Sequence, residues 1–384
     1  MIFNSIKKYH LKIIFLSFAI KITYFFFLLF LHKTEIIKGD FGFNLDSFFS
    51  TFLRNDAGWY KYITLEGYAR LENKEDLKGI VNGVFDQSEW AFFPLYPYLV
   101  KVLMYCGLNY FVSAFIFALL LSTLCFIVFF EFALFTFQDN DKAWFCTLLF
   151  ILFPFNYYYS MFYTESLFVF LMISGFLCVL RNKNNWLYLI IPSLVLTRPN
   201  GLVVSFVLFL YFLEYYFKNK KLSIGLLVNT DLFLKILPFA LAPITLFLYC
   251  LYQYEMTGDY FAFNSAQEGW AKKDMWPWQA LFGRGDFATQ FNSIFVCIVL
   301  LFFGFTFKRY RLSFILLILF TILMPLSKGS AASMPRYISI LFPLFIVANQ
   351  YLYNLKYKYF VLGVFCVLQL NNLYYWYNYH PFSY

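Results

Sequence analysis

The chain has 384 residues, of which 61% are hydrophobic and only 13% charged, with a mean hydropathy of +0.64. A soluble domain carries about 25% charged residues, so an ordinary water-soluble fold is excluded. The net charge of +9 does not indicate a nucleic-acid partner, because the basic residues lie in short clusters between apolar runs, as the positive-inside rule requires of a membrane protein.

The predicted spans, in chain order, fall near 13–31, 110–137, 143–162, 164–180, 186–197, 201–217, 232–252, 291–307, 311–326, 336–353 and 357–375. That is about eleven segments of membrane-crossing character. The first run is too long for a signal-peptide core and has no small-residue cleavage site after it. The run at 186–197 is short and carries Pro192, a candidate break. The stretch 92–106, "FFPLYPYLVKVLMYC", has two prolines and Lys101.

Charge decides how to read that stretch. With the N terminus in the cytoplasm and 92–106 lying on the surface, Lys7, Lys8, Lys12, Lys142, Arg181, Lys183, Lys218, Lys220, Lys221, Lys308, Arg309, Arg311, Lys356 and Lys358 all become cytoplasmic. Only Arg198, Lys328 and Arg336 then fall in short outer loops. Making 92–106 a full span inverts this pattern. The expected architecture is therefore an all-α polytopic membrane protein forming a single domain, 1–384. Its first extracytoplasmic loop, 32–109, is long and carries amphipathic helices, and a second large outer loop covers 253–290. Most of the 21 acidic residues fall in these outer segments, which makes the outer face the place to look for chemistry.

Within the first loop, "RNDAGWYKYITLEGYA" spaces Ala57, Tyr60, Ile63 and Thr64 as one helical face, with Gly67 as its stop and Asn55 or Asp56 as its start. Asp56 has two compatible readings, an N-cap accepting from the first free N–H groups or a catalytic base favoured in its ionised form by the helix N-terminus. "EWAFFPLYP", 89–97, closes the loop with Glu89 and a proline-stiffened aromatic segment. "PFNYYYSMFYTESLF", 154–168, puts Glu165 at the edge of an apolar helix, where ionisable groups are rare and face an interior or a wet cavity. "LTRPNGL", 196–202, places Arg198 at an outer turn, where its planar fork matches phosphate. "YEMTGDYFAFNSAQEGWAKKDMWPWQAL", 254–281, mixes acids, lysines and three tryptophans, Trp270 among them. Such a mixture suits a sugar ring or a membrane interface. "SMPRYISILFPLF", 333–345, brings Arg336 to a point of membrane re-entry, where it either snorkels or holds a phosphate.

Lys21 stands in the middle of the first span and needs a partner or a water path that the sequence does not name. The seven cysteines give no disulfide framework and no zinc spacing. The three histidines are scattered, and no HExxH motif or Gly-rich phosphate loop occurs. No cofactor is called for. A divalent metal on the acidic outer loops stays open, although no ligand spacing fixes one.

The ordered series "NDAGWYKYITLEGY", "WAFFPLYPYLV", "YTESLFVFL", "TRPNGL", "GDYFAFNSAQEGW" with "PWQAL", and "PRYISILFPLF" runs over about residues 50–345. It resembles the PIG-V family of membrane mannosyltransferases in the GT-C class, and its compact loops are more like the bacterial members. The resemblance implies a polyprenyl-phosphate sugar donor, a lipid-linked or glycan acceptor, chemistry on the extracytoplasmic face and an essential Asp in the first outer loop, which falls on Asp56. The family commonly carries Trp before that Asp, and Asn55 stands there in this chain. On this reading Asp56 is the base of an inverting transfer, Arg198 and Arg336 hold the donor phosphate, and Glu89, Glu165 and Trp270 shape the sugar and acceptor sites. The expected partners include membrane lipid and no nucleic acid, and the expected location is a bacterial plasma membrane, or the endoplasmic reticulum in a eukaryote. The rivals are a lipid-sugar transporter, which would more often show inverted repeats and broken helices, and a GT-C transferase of another sugar.

Overall fold

The computed structural model describes the chain except residues 1, 72–79, 82–83, 86, 219–229, 271–273, 284, 330 and 381–384. Helices account for nearly all of its regular structure. In the N-terminal half these are α1 (Ile2–Lys33), α2 (Leu45–Ser50), α3 (Asp56–Leu65), α4 (Leu95–Met104), α5 (Tyr110–Phe137), α6 (Asn140–Leu152), α7 (Glu165–Leu180), α8 (Leu187–Thr197) and α9 (Gly201–Phe217). The C-terminal half holds α10 (Thr230–Thr257), α11 (Ala262–Ser265), α12 (Pro277–Phe282), α13 (Phe287–Thr306), α14 (Leu312–Leu326), α15 (Met334–Ser339), α16 (Phe342–Leu352) and α17 (Lys358–Tyr377). A minimal antiparallel ladder pairs Ile80 with Phe85 and Val81 with Val84.

Among the described residues, four helices are long and apolar enough to cross a membrane alone: Lys7–Lys33, Tyr110–Phe137, Leu232–Thr257 and Phe287–Arg309. Shorter apolar helices such as Glu165–Leu180, Gly201–Phe217 and Leu312–Leu326 pack among them, and together they mark a membrane protein. Helix α4 has ten residues. At about 1.5 Å per residue it reaches only half of a hydrocarbon core about 30 Å thick.

Two expected spans are not single helices. The run 143–162 ends as a helix at Leu152, and Phe153 turns to ψ 137, because the ring of Pro154 disfavours a helical residue before it. The run 336–353 is divided into α15 and α16, with Pro343 in the first turn of the second piece. The reverse holds at 187–197, where one helix runs through Pro192.

Helix α5 is the hub, packing on α1, α4, α6 and α7, while α8 lies against α7, α9 and α10. The irregular segment 153–163 threads this core and is mostly buried. Non-helical backbone survives in an apolar interior only if its polar groups find partners. Gln369 of α17 donates through Nε2 to the carbonyls of Ile151 (3.0 Å) and Phe153 (2.9 Å). Asn372 donates to Pro154 O at 3.0 Å, and Lys21 Nζ donates to Ser160 O at 2.5 Å. The fully buried Lys21 of α1 thus finds its partner in a backbone carbonyl, with the rings of Phe52 and Phe115 alongside.

The polar contacts gather at two poles. At one, Glu131 near the end of α5 pairs with His10 of α1 (2.8 Å) and with Arg181 beyond α7 (2.6 Å). The other pole holds the opposite ends of α7 and α8, with α3 and α15 against them.

Candidate active site

Helix α3 begins where the spacing places it. Ala57, Tyr60, Ile63 and Thr64 are its buried face, and Gly67 at φ +87 ends it. Asp56 is its first residue, and the cap position belongs to Asn55, held at φ +53 and ψ −126 with no side-chain cap bond. The N-cap reading of Asp56 is therefore corrected. Its carboxylate accepts from Arg336 Nη1 at 2.6 Å.

Glu165 is the first residue of α7 and is fully buried. Its Oε1 accepts from Arg336 Nε and, at 2.8 Å, from Arg198 Nη2. Four residues from four distant motifs thus form one chain, Asp56–Arg336–Glu165–Arg198. Both carboxylates sit at helix N-termini and Arg198 follows the C-terminus of α8, the arrangement helix dipoles favour. Arg198 is extended (φ −158, ψ 153), as a residue before proline prefers. Gly201 completes that turn, since a Cβ there would lie 2.0 Å from Leu194 O.

Asp56 is the accessible member, its side chain 26% exposed against 0% for Glu165. Its Oδ2 is the oxygen that accepts from Arg336. Glu165 Oε2 and Arg198 Nη1 are buried without partners among the described residues. Tyr158 and Tyr163 brace Arg336, their ring centres 5.2 and 4.6 Å from its guanidinium carbon. The Tyr163 hydroxyl donates to Arg54 O (3.1 Å), fixing the segment that delivers Asp56. Beneath Asp56 on the same helix, Tyr60 meets the Thr164 hydroxyl at 3.3 Å. Burial pushes its phenol far above the usual range, so it remains a neutral hydrogen-bonding group.

Trp270 lies beside the cluster in an aromatic wall. Its ring is edge-on to Phe92 (5.6 Å) and to Trp59 (6.2 Å), and Trp59 stacks on Phe92 at 18°. Trp59 follows Asp56 by one helical turn. Glu89 is placed elsewhere: its Oε1 accepts from Ala69 N at 2.9 Å while Trp90 Nε1 donates to Ala69 O at 3.1 Å. These bonds close the first loop on itself and keep Glu89 out of the charged chain.

Sequence reasoning missed Tyr158, Tyr163 and Arg54. The two tyrosines carry no local signal in a chain with 32 tyrosines and 56 phenylalanines. Arg54 stood in the quoted motif, but nothing in the spacing gave it a contact. Among the described residues, no group of three or more His, Cys, Asp or Glu side chains converges. A cation at Asp56 and Glu165 would have to compete with Arg336, which bridges them. No family model, no curated protein and no solved structure matches the chain.

Proposed function

We propose that the chain is an inverting membrane glycosyltransferase, taking a sugar, mannose by resemblance, from a polyprenyl-phosphate donor to a lipid-linked or glycan acceptor. On this reading about eleven membrane passes place the N terminus in the cytoplasm and 32–109 and 253–290 on the opposite face, where nucleotide sugars are not expected. The observation that carries it is the convergence of Asp56, Glu165, Arg198 and Arg336, which belong to four separate motifs, beside an aromatic wall.

The chemistry follows from the arrangement. An acceptor hydroxyl attacks the anomeric carbon on the face opposite the phosphate. The C–O bond to phosphate breaks and its electron pair leaves with the phosphate, while the hydroxyl proton passes to Asp56. Guanidinium groups already oriented by carboxylates need no reorganisation to meet the charge that develops on the leaving group. Glu165 orients Arg198 and Arg336, and Trp59 and Trp270 offer ring faces to the sugar. Asp56→Asn keeps the shape and removes the base. In reconstituted protein supplied with polyprenyl-phosphate mannose, the variant should lose transfer by about 10²–10⁴-fold. Unchanged transfer would sink the reading.

A further inference from the structure

The four-residue chain is electrically closed. Two carboxylates face two guanidinium groups, so their formal charges cancel, and an arriving phosphate finds there directed N–H groups but no net positive charge. The cation that could supply it is Arg54, two residues before Asp56. Among the described residues no carboxylate lies within ion-pair distance of Arg54, whereas Arg181 and Arg198 each have one and Arg336 has two. Its guanidinium carbon lies 4.3 Å from the ring centre of Tyr377 and 5.6 Å from that of Tyr379. Its Nε is buried and makes no hydrogen bond. The backbone beneath it is pinned, since Phe162 N donates to Phe52 O (3.2 Å) and the Tyr163 hydroxyl to Arg54 O.

Aromatic faces hold a guanidinium by its plane and leave its edge free, and the edge is what a phosphate takes in a bidentate pair.

We propose that Arg54 is the ground-state anchor for the phosphate of a prenyl-linked phosphate, acting before the charge develops that Arg198 and Arg336 receive. This rests on the transferase reading for its ligand class. A solely structural Arg54, clamping α17 through Tyr377, makes a different prediction: it would alter stability and leave anion affinity alone.

The test is direct binding to the purified full-length chain in nanodiscs, with three probes: a short-chain prenyl phosphate, the corresponding prenyl alcohol and inorganic phosphate. Arg54→Gln is expected to weaken prenyl phosphate by about tenfold or more, the worth of a charge-assisted hydrogen bond, and to leave the alcohol unchanged. Arg54→Lys keeps the charge and loses the fork, so it folds as the milder variant and should still bind more weakly than the native chain. Competition by inorganic phosphate assigns recognition to the anion itself. Competition by the alcohol alone assigns it to the prenyl chain and overturns the proposal, as does native affinity in either variant. Sugar transfer with undiminished phosphate affinity in Arg54→Gln removes the anion anchor only. Lost affinity in Arg54→Gln, with no transfer by the native chain from any donor, removes the transferase reading only.

Discussion

Arg336 donates to Asp56 through Nη1 at 2.6 Å and to Glu165 through Nε, joining carboxylates from α3 and α7 with one guanidinium. Glu165 is fully buried, so removing Arg336 leaves a charge in the protein interior with only Arg198 beside it. Arg336→Met should destabilise the fold by about 3–5 kcal/mol, the usual cost of breaking a buried pair from one side. Adding Glu165→Leu and Arg198→Leu together removes the buried pair that remains and should recover most of that loss without recovering transfer. Denaturation of the single and triple variants in detergent checks this. A triple variant as unstable as Arg336→Met would show that the charge is not what matters.

The turn that presents Arg198 depends on an absent side chain. A Cβ at residue 201 would meet Leu194 O at 2.0 Å and Leu194 C at 2.3 Å, both backbone atoms that cannot rotate away. Gly201→Ala should therefore cost about 1–3 kcal/mol as an overpacked contact and shift Arg198 away from Glu165. The expected readout is a lower melting temperature together with reduced transfer. A native melting temperature would show that α8 and α9 separate freely.

Asn55 holds a backbone conformation that a side chain rarely adopts, φ +53 with ψ −126, immediately before Asp56. Such strain costs about 1–3 kcal/mol and gathers at functional sites. Asn55→Gly should relieve it and stabilise the fold, while Asn55→Val should do the opposite because a β-branched residue tolerates positive φ poorly. Melting temperatures in the order Gly above Asn above Val are expected. Val equal to Asn would contradict the strain.

The sequence made some of this legible and hid the rest for physical reasons. Helix α3 was legible because its buried residues repeat locally and Gly67 supplies the positive φ that stops it. Asp56, Glu165, Arg198 and Arg336 stood out because charge is rare beside apolar runs. Their connectivity was hidden, since the bond from Arg336 to Asp56 spans 280 positions and no local pattern encodes it. The break of 143–162 at Phe153 was hidden in a similar way. Pro154 marks it, but hydropathy reads through to Phe162, and the partners that make the break tolerable come from α17 and α1. Glu89 had the composition of a site residue, and only the fold shows its carboxylate closing a loop on Ala69.

Gln369 tests how that break is supported. Its side chain donates to Ile151 O and Phe153 O and accepts from the Tyr24 hydroxyl at 2.9 Å. Gln369→Leu has nearly the same volume and leaves those groups unpaired inside the core. Each buried orphan costs about 1–3 kcal/mol, so the loss should exceed that of an ordinary surface change by several-fold. Accelerated hydrogen exchange confined to 150–163 is the expected signature. Unchanged exchange there would mean that the segment holds itself.

Asp286 gives a pH dependence whose sign is fixed. It caps α13, accepting from Thr289 N at 2.8 Å, and hydrogen bonds from Thr289 hold its carboxyl below the usual aspartate range. A carboxyl lowered in the folded state contributes stability that is present above its unfolded value and disappears as the pH falls through its folded value. Asp286→Asn retains an acceptor for the cap and loses the titration. The native chain should therefore be the more stable of the two at neutral pH, and their melting temperatures should converge as the pH falls below the ordinary aspartate range. A gap that widens on acidification would reverse the sign and exclude the cap as its source.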